Sequence, residues 1–283
     1  MAVRPPSTRP PSLLPSAADH SDDEPELEGW SVTVGIVGHE SLADLVAAAL
    51  GHHDLAVGGG GEVPTESLDW VVAEGAKALC ELVRAGIDAP VLVVESGSGN
   101  GTPGGDDEIG EWIDGAIPTV SRAEIGGAVE RADAGDLSVI SQSSLDITVD
   151  GAEVGRAMFD VALVSDQPAR ICEYSIRTAH ERIGSVRADG IVVATPAGSY
   201  GYASAAGGPI LETGTDVVAV VPIAAFVTDA DHWVLDADGV GLGVERDEPV
   251  AVVADGEPVE SIGHGEKVEL ALGEPVRLFE WSD

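Results

Sequence analysis

The part of this 283-residue chain best suited to chemistry is the stretch 189–210, DGIVVATPAGSYGYASAAGGPI. Asp189-Gly190 is a turn pair, and the apolar run after it predicts a short buried strand. The TPAGS segment at 195–199 then ends the strand in a turn that carries a proline, a glycine and two hydroxyls. A short alanine-rich helix follows and stops at the Gly-Gly-Pro of 207–209. Backbone N–H groups and hydroxyls at the start of a helix predict a site for phosphate or ribose.

This stretch resembles the signature of the NAD kinase family, which reads roughly DGxxxxTPTGSTAYxxSAGGP. The positions that match are Asp189, Gly190, Thr195, Pro196, Gly198, Ser199, Tyr202, Ala206, Gly207, Gly208 and Pro209. The positions that depart from it are Ala197, Tyr200, Gly201 and Ala205. The resemblance implies a dinucleotide-binding role for Asp189, Thr195, Gly198, Ser199 and Tyr202. Asp189 would accept hydrogen bonds from ribose hydroxyls, Thr195 and Ser199 would donate to phosphate or ribose, and Tyr202 would supply a ring and a hydroxyl.

A second candidate segment follows the strand predicted at 69–73 and reads Glu74-Gly75-Ala76-Lys77. At this place the family carries GGDG, whose aspartate is held to be the catalytic base on the accepting ribose hydroxyl. Ala76 stands at the aspartate position, so no catalytic residue is assigned. Glu74 would bring negative charge next to a triphosphate. Gly75 and Lys77 are the remaining candidates for phosphate contact, although Lys77 is equally interpretable as a pair for Glu74 or as a solvated helix residue.

A third segment, Phe159-Asp160, lies where the resemblance implies an Asn-Glu pair that hydrogen-bonds the dinucleotide. Asp160 retains a carboxylate, whereas Phe159 replaces the amide. Two interpretations of Phe159 stay open: stacking on a ring of the ligand, or filling the core of a domain with few aromatic residues. The late Asp255-Gly256-Glu257 segment is expected to support the fold without taking part in chemistry.

The strands and helices that the sequence predicts around these residues indicate an α/β N-terminal domain followed by an all-β C-terminal sandwich. Residues 1–29 are rich in Pro, Ser and acidic residues and predict a disordered tail. Strands alternate with helices over 30–134, which is typical of a mostly parallel sheet. Closely spaced strands with turn pairs predict a β-sandwich nucleotide-binding domain over 135–270. The resemblance implies that the C-terminal segment 271–283 returns toward the α/β domain.

The charge of the chain excludes several classes of partner. There are 50 acidic and 14 basic residues, which gives a formal net charge of −36. Such a surface repels nucleic acid and anionic membranes, so neither is expected as a partner. A large acid excess with only two lysines is typical of a halophilic acidic proteome, in which salt screens the self-repulsion.

The remaining composition favours a cytoplasmic protein. Cys80 and Cys172 are far apart and in no metal-like spacing, so we expect two buried thiols and no metal site. No apolar run reaches the length of a membrane span, and the N-terminus lacks the apolar core of a secretory signal. The resemblance implies a homo-oligomer in which neighbouring subunits complete the site.

Two functions therefore remain as candidates. The first is an NAD kinase-like enzyme that binds NAD(H) and transfers phosphate from ATP, with Mg²⁺, to the adenosine ribose 2′-hydroxyl to give NADP. The second is a catalytically impaired NAD(P)-binding or regulatory paralogue, which the residues at 74–77 favour. A lipid kinase of the same superfamily is a third possibility, against which the run from Thr195 to Pro209 argues.

Overall fold

A computed structural model of the protein describes residues 32–51, 54–59, 63, 67–96, 116–165, 171–227, 231–245 and 249–281. The predicted tail at 1–29, the Gly/Asp-rich run at 104–107 and the histidines at 52–53 lie outside these residues. Within them the chain forms three six-stranded sheets. Among the described helices, none is both long and apolar enough to cross a membrane.

The first sheet is an α/β layer with the strand order β2-β1-β3-β4-β18-β5. Its strands β1 to β4 and β18 run parallel, and β5 pairs antiparallel with β18. Helices α1 and α3 pack on one face and α2 on the other. The elements are β1 Thr33–Val37, α1 Glu40–Leu50, β2 Asp54–Gly58, β3 Trp70–Glu74, α2 Gly75–Arg84, β4 Val91–Val94, α3 Ile125–Asp133, β5 Ser138–Gln142 and β18 Val276–Glu280.

The other two sheets are antiparallel and pack face to face around one apolar core, which makes a sandwich. One has the order β10-β9-β14-β17-β6-β7 and the other β13-β12-β11-β8-β15-β16. Their strands are β6 Leu145–Val149, β7 Ala152–Ala157, β8 Asp160–Ser165, β9 Cys172–Arg177, β10 Arg182–Ala188, β11 Gly190–Ala194, β12 Val217–Ile223, β13 Trp233–Asp236, β14 Val240–Val244, β15 Val250–Ala254, β16 Glu257–Ile262 and β17 Lys267–Leu272. The short helix α4, Tyr202–Ala205, covers the outer face of β11 and β12.

The predicted fold class, an N-terminal α/β region followed by a β-sandwich, is confirmed. The strand membership differs in one place from the predicted division at residue 135. Strand β5 lies beyond that division, yet it joins the first sheet because β18 returns between β4 and β5 and gives it an antiparallel partner. The C-terminal strand thus connects the end of the chain to the α/β sheet.

The core beneath α2 joins the two parts of the molecule. The inner face of α2 packs on Val71, Ala73 and Val93 of the first sheet, and Met158, Phe159 and Ala197 belong to the same buried cluster. The segment before β8 and the turn after β11 therefore share one buried cluster with α2. This contact brings the three candidate segments of the sequence into one place.

Candidate functional site

The turn after β11 is held by hydrogen bonds among its own residues and the segment before β8. The Thr195 hydroxyl donates to the carbonyl oxygen of Met158 at 2.7 Å and accepts from the N–H of Gly198 at 3.1 Å. The Ser199 hydroxyl donates to the carbonyl oxygen of Pro196 at 2.7 Å and accepts from the N–H of Leu211 at 3.0 Å. Both hydroxyls are buried and build the turn, and their predicted contact with a ligand stays a prediction.

Gly198 is required by a close approach of two backbone segments. A Cβ atom built at this position would lie 1.9 Å from the carbonyl oxygen of Phe159. The N–H of Thr195 donates to that same carbonyl oxygen at 2.9 Å, so neither segment can move away without losing the bond. No other residue type fits here, because every side chain begins with the carbon that clashes.

Asp255 holds the backbone of the segment before β8. It lies in the turn between β15 and β16 with φ 48°, a left-handed conformation that Asp tolerates. Its carboxylate accepts from the N–H groups of Met158 at 2.8 Å, Phe159 at 2.7 Å and Asp160 at 3.1 Å. Asp255 thus supports the fold, as expected, and the segment that it holds is part of the candidate site.

Asp160 presents a buried carboxyl group beside this anchor. The residue is 7% exposed, and no hydrogen bond to its carboxyl oxygens is made within the described part of the chain. Burial, and next the neighbouring Asp255 charge, raise the pKa of Asp160 to about 7. Burial also raises the pKa of Asp255, while the three backbone N–H groups act in the opposite direction. A buried polar group that lacks a protein partner is a candidate for ligand contact.

Cys80 of α2 faces the same acids. Its side chain is buried and hydrogen-bonds the Asp255 carboxylate. Burial, followed by the charge of Asp255, raises the pKa of the Cys80 thiol well above its usual range. The thiol is therefore a neutral, weakly donating group, in agreement with the predicted buried hydrophobe.

Tyr202 and Asp189 lie along β11 but not at the same end. Ala194 pairs with Asp160 in the ladder of β11 and β8, whereas Gly190, the residue after Asp189, pairs with Val164 at the far end. Tyr202 is half-buried on α4, and its pKa is raised by burial and then by the charges of Asp160 and Asp189. Asp189 is exposed. The structure thus brings Phe159, Asp160, Thr195, Gly198 and Ser199 together and leaves Asp189 at the opposite edge.

The junction of β3 and α2 is organised by Glu74. Gly75 adopts φ 74°, which allows the chain to turn directly from strand to helix. The Glu74 carboxylate accepts from the N–H of His39 at 2.7 Å and forms a short ion pair with Arg122. Among the described residues its carboxylate therefore contacts groups of the α/β layer, and its predicted effect on a phosphate stays a prediction. Lys77 itself is exposed on α2.

Ala76 is buried at the start of α2 and is 2% exposed. It belongs to the apolar cluster that contains Met158, Phe159 and Ala197. Phe159 is 7% exposed, so of the two interpretations offered for it the structure favours core packing. Both positions at which the family carries a polar residue thus contribute apolar side chains to one cluster.

Two contributors to this region, Arg122 and Asp255, have no local signal in the sequence for the contacts that they make. Arg122 is separated from Glu74 by 48 positions, and no local pattern identifies such a pair. Asp255 and Gly256 indicate a turn in the sequence, and nothing near them indicates the contact with residues 158–160. Among the described residues, no group of three or more His, Cys, Asp or Glu side chains is arranged to hold a metal ion.

Comparison with protein families identifies residues 158–277 as matching the ATP-NAD kinase C-terminal domain. A curated relative, the NAD kinase of Methanosarcina acetivorans, is 33% identical over 150 residues, which are 52% of this chain and 54% of the relative. The match therefore spans about half the length of that relative.

Two solved structures resemble the whole fold. Yeast NADH kinase complexed with NADH has a TM-score of 0.73 at 14% identity, over 90% of this chain and 85% of that one. An NAD kinase from Archaeoglobus fulgidus in complex with ATP has a TM-score of 0.63 at 19% identity, over 88% of this chain and 94% of that one. At these identities the likeness concerns the fold.

Proposed function

Since the chain belongs to the NAD kinase family, we propose that it binds NAD(H) or NADP(H) where the turn at 195–199 meets the start of β8. The observation that carries this proposal is the carboxyl group of Asp160, buried and without a hydrogen-bond partner within the described residues. The carboxyl oxygens of Asp160 are not completely enclosed, so a ligand can reach this group and hydrogen-bond it.

The other candidate residues take roles that follow from their positions. Tyr202 is half-buried and within electrostatic reach of Asp160, so it supplies a ring and a hydroxyl to the same ligand. Asp189 accepts from hydroxyls at the far end of β11, and an extended dinucleotide is the kind of ligand that reaches both ends. Thr195, Gly198 and Ser199 act through the backbone that they fix. Phe159 forms an apolar wall, and Gly75 and Lys77 lie where phosphates would approach α2.

The first candidate activity is transfer of the terminal phosphoryl group of ATP to the ribose 2′-hydroxyl of the bound NAD(H), which gives NADP(H). The named kinase relatives support it. Phosphoryl transfer depends mainly on positioning and electrostatics, so it does not strictly require a protein base. The described residues contain no donor set for a metal held by protein alone. Any Mg²⁺ would therefore arrive with the phosphates of ATP.

The second candidate is binding without catalysis, and the start of α2 favours it. Ala76 lies in an apolar cluster, so the group that would accept the ribose proton is missing there. Glu74 contributes a carboxylate next to the same helix start, which opposes a triphosphate despite its pairing with Arg122. A protein of this kind would bind NADP(H) or NAD(H) and report on its level.

One experiment distinguishes the two candidates. Purified protein is incubated with NAD, ATP and Mg²⁺ in molar KCl, NADP is measured with a coupled dehydrogenase, and NAD binding is measured in parallel by calorimetry. NADP above the level of a no-ATP control supports the kinase. Saturable NAD binding without NADP formation supports the binding protein. Absence of both would contradict the proposed function.

A gain-of-function variant sharpens the result. Glu74→Gly, Ala76→Asp and Lys77→Gly together rebuild the family loop, and Phe159→Asn is added because Phe159 shares the buried cluster with Ala76. Phosphoryl transfer that appears only in the fourfold variant would assign the loss of activity to this cluster. Phe159→Asn alone is the matched control, since it makes the cluster polar without adding a base.

We also propose an association state and a cellular environment for the protein. Apolar side chains are exposed at Ile210, Phe226, Val227 and Val234, and Phe226 is 70% exposed. We expect these residues to lie in a contact between copies of the chain. Sedimentation at molar KCl would show a monomer if the expectation is wrong. The acidic composition further suggests a cytoplasm with high salt.

A further inference from the structure

Two carboxyl groups are buried next to each other in the candidate site. Asp160 is 7% exposed and Asp255 is 4% exposed, and the N–H of Asp160 donates to the Asp255 carboxylate at 3.1 Å. The charge of Asp255 also acts on the Asp160 carboxyl group, so ionisation of both acids together, away from water, is unfavourable. One proton retained by the pair removes that repulsion.

The surroundings of the two acids are unequal. The Asp255 carboxylate accepts three backbone N–H bonds, from Met158, Phe159 and Asp160, and one bond from the Cys80 thiol. Each of these bonds favours the ionised form of Asp255. The Asp160 carboxyl group accepts no such bond from the described residues. The negative charge of the pair therefore lies on Asp255.

The other titratable groups that face Asp160 do not change this conclusion. Asp255 approaches from the turn between β15 and β16, Cys80 from α2 and Tyr202 from α4. The thiol and the phenol are both neutral near pH 7, since their pKa values are raised. No cation of the described residues acts on Asp160, whereas Arg84 acts on Cys80.

We infer that Asp160 carries the one proton of this pair while Asp255 stays ionised, so that Asp160 meets its ligand as a neutral hydrogen-bond donor. The inference rests on the proposed dinucleotide binding for the identity of the ligand only. A neutral acid can donate to a ring nitrogen or a carboxamide oxygen, which an ionised carboxylate cannot do. It also adds no charge next to an anionic pyrophosphate.

The consequence is a ligand affinity that falls with rising pH. Because the pKa of Asp160 is about 7, the donor form is depleted above that pH. The dissociation constant of NAD should then rise by about tenfold for each further pH unit, and binding should take up about one proton per NAD. The ring nitrogens and phosphates of NAD do not titrate in this range, which makes NAD a better probe than NADP.

The test is calorimetric titration of the full-length protein with NAD from about pH 6 to about pH 9, in two buffers of different ionisation enthalpy. The wild type should show the loss of affinity and the proton uptake. Asp160→Asn should abolish both dependences, because an amide does not titrate. Asp136→Asn, at an exposed aspartate between α3 and β5, is the matched control and should behave as the wild type. A wild-type affinity that is constant or that rises with pH would overturn the inference.

Infrared spectroscopy tests the protonation without any ligand. At about pH 6 the wild type should show the carbonyl stretch of a buried carboxylic acid, lost with a midpoint near the pKa of Asp160 and absent from Asp160→Asn. A band that persists in Asp160→Asn and disappears in Asp255→Asn would place the proton on the other acid and contradict us. Should Asp160→Asn fail to fold, coincidence of the wild-type infrared and affinity midpoints decides the question. If the band behaves as expected but NAD does not bind at any pH, the proposed function fails while the protonation stands.

Discussion

The two loops that meet in the candidate site, the turn at 195–199 and the junction at 74–77, satisfy their polar groups in different ways. In the turn, hydroxyls bond to nearby main-chain groups, and a glycine lies against a carbonyl oxygen. At the junction, one carboxylate reaches a backbone N–H and an arginine from two other segments. The turn is held by contacts with the main chain, whereas the junction is held by side chains that other residue types could replace.

This difference fits the match to the family signature at Thr195 and Gly198, although Ala197 of the same turn departs from it. A side chain at position 198 would clash with the main chain of Phe159, and position 195 needs a hydroxyl that reaches the carbonyl oxygen of Met158. Glu74 and Ala76 fill their positions without such a constraint, since an ion pair and an apolar contact can be formed by several residue types. We therefore relate the proposed binding contacts at 195–199 to packing geometry, and the departures at 74–77 to side-chain chemistry.

The strongest test of the main-chain contacts in the turn at 195–199 is Gly198→Ala. A methyl group 1.9 Å from the Phe159 oxygen forces the two backbones apart, and we expect a loss of more than about 3 kcal/mol in unfolding free energy. Chemical denaturation measures it. The control is Gly126→Ala in α3, where a Cβ meets nothing within 4 Å and should stabilise the helix by about 0.5–1 kcal/mol. Equal stabilities of the two variants would refute the close approach.

The second test removes Asp255, whose carboxylate holds the backbone of the segment before β8. Asp255→Ala leaves the N–H groups of Met158, Phe159 and Asp160 buried without their acceptor, and should cost about 3 kcal/mol of unfolding free energy. Asp255→Asn should cost about half of that, because the amide oxygen still accepts. A loss below about 1 kcal/mol for Asp255→Ala, measured by denaturant titration, would mean that the segment does not depend on this carboxylate.

At the junction we expect smaller effects. Glu74→Gln keeps an acceptor for the His39 N–H but removes the charge that pairs with Arg122, and should cost about 1–2 kcal/mol of unfolding free energy. Asp88→Asn is the control: its pair with Arg277 is exposed, with Asp88 at 99%, so the change should be below about 0.5 kcal/mol. Thermal unfolding at constant KCl compares the two. A larger loss of unfolding free energy for Asp88→Asn than for Glu74→Gln would contradict this prediction.

The smallest expected change in stability is for Lys77→Ala. Lys77 is exposed on α2, so the unfolding free energy should stay within about 0.5 kcal/mol of the wild type. If Lys77 contacts a phosphate, the dissociation constant for ATP or NAD should rise by about threefold to tenfold. Lys267→Ala is the matched control, since Lys267 is the only other lysine of the sequence and is exposed at the start of β17. Equal affinities of both variants would assign Lys77 to the solvated surface.

The sequence by itself determined the fold class and most interior strands. Apolar runs and turn pairs mark strands such as β6, β8 and β11, because each is buried on at least one face and its pattern is local. The strands without a clear signal are β7, β10 and β16, which the structure places at sheet edges. Edge strands are polar and partly exposed, so their sequences lack the alternation that a buried strand carries.

The tertiary structure alone decided how the site is built. The sequence located Asp160, Thr195 and Ser199, yet it assigned the two hydroxyls to a ligand, whereas in the fold they bond to carbonyl oxygens. It could not pair Asp255 with residues 95–97 positions earlier, nor Glu74 with Arg122, since such contacts are set by the packing of whole elements. Local patterns encode burial and turns, and only the assembled chain brings two distant acids next to each other.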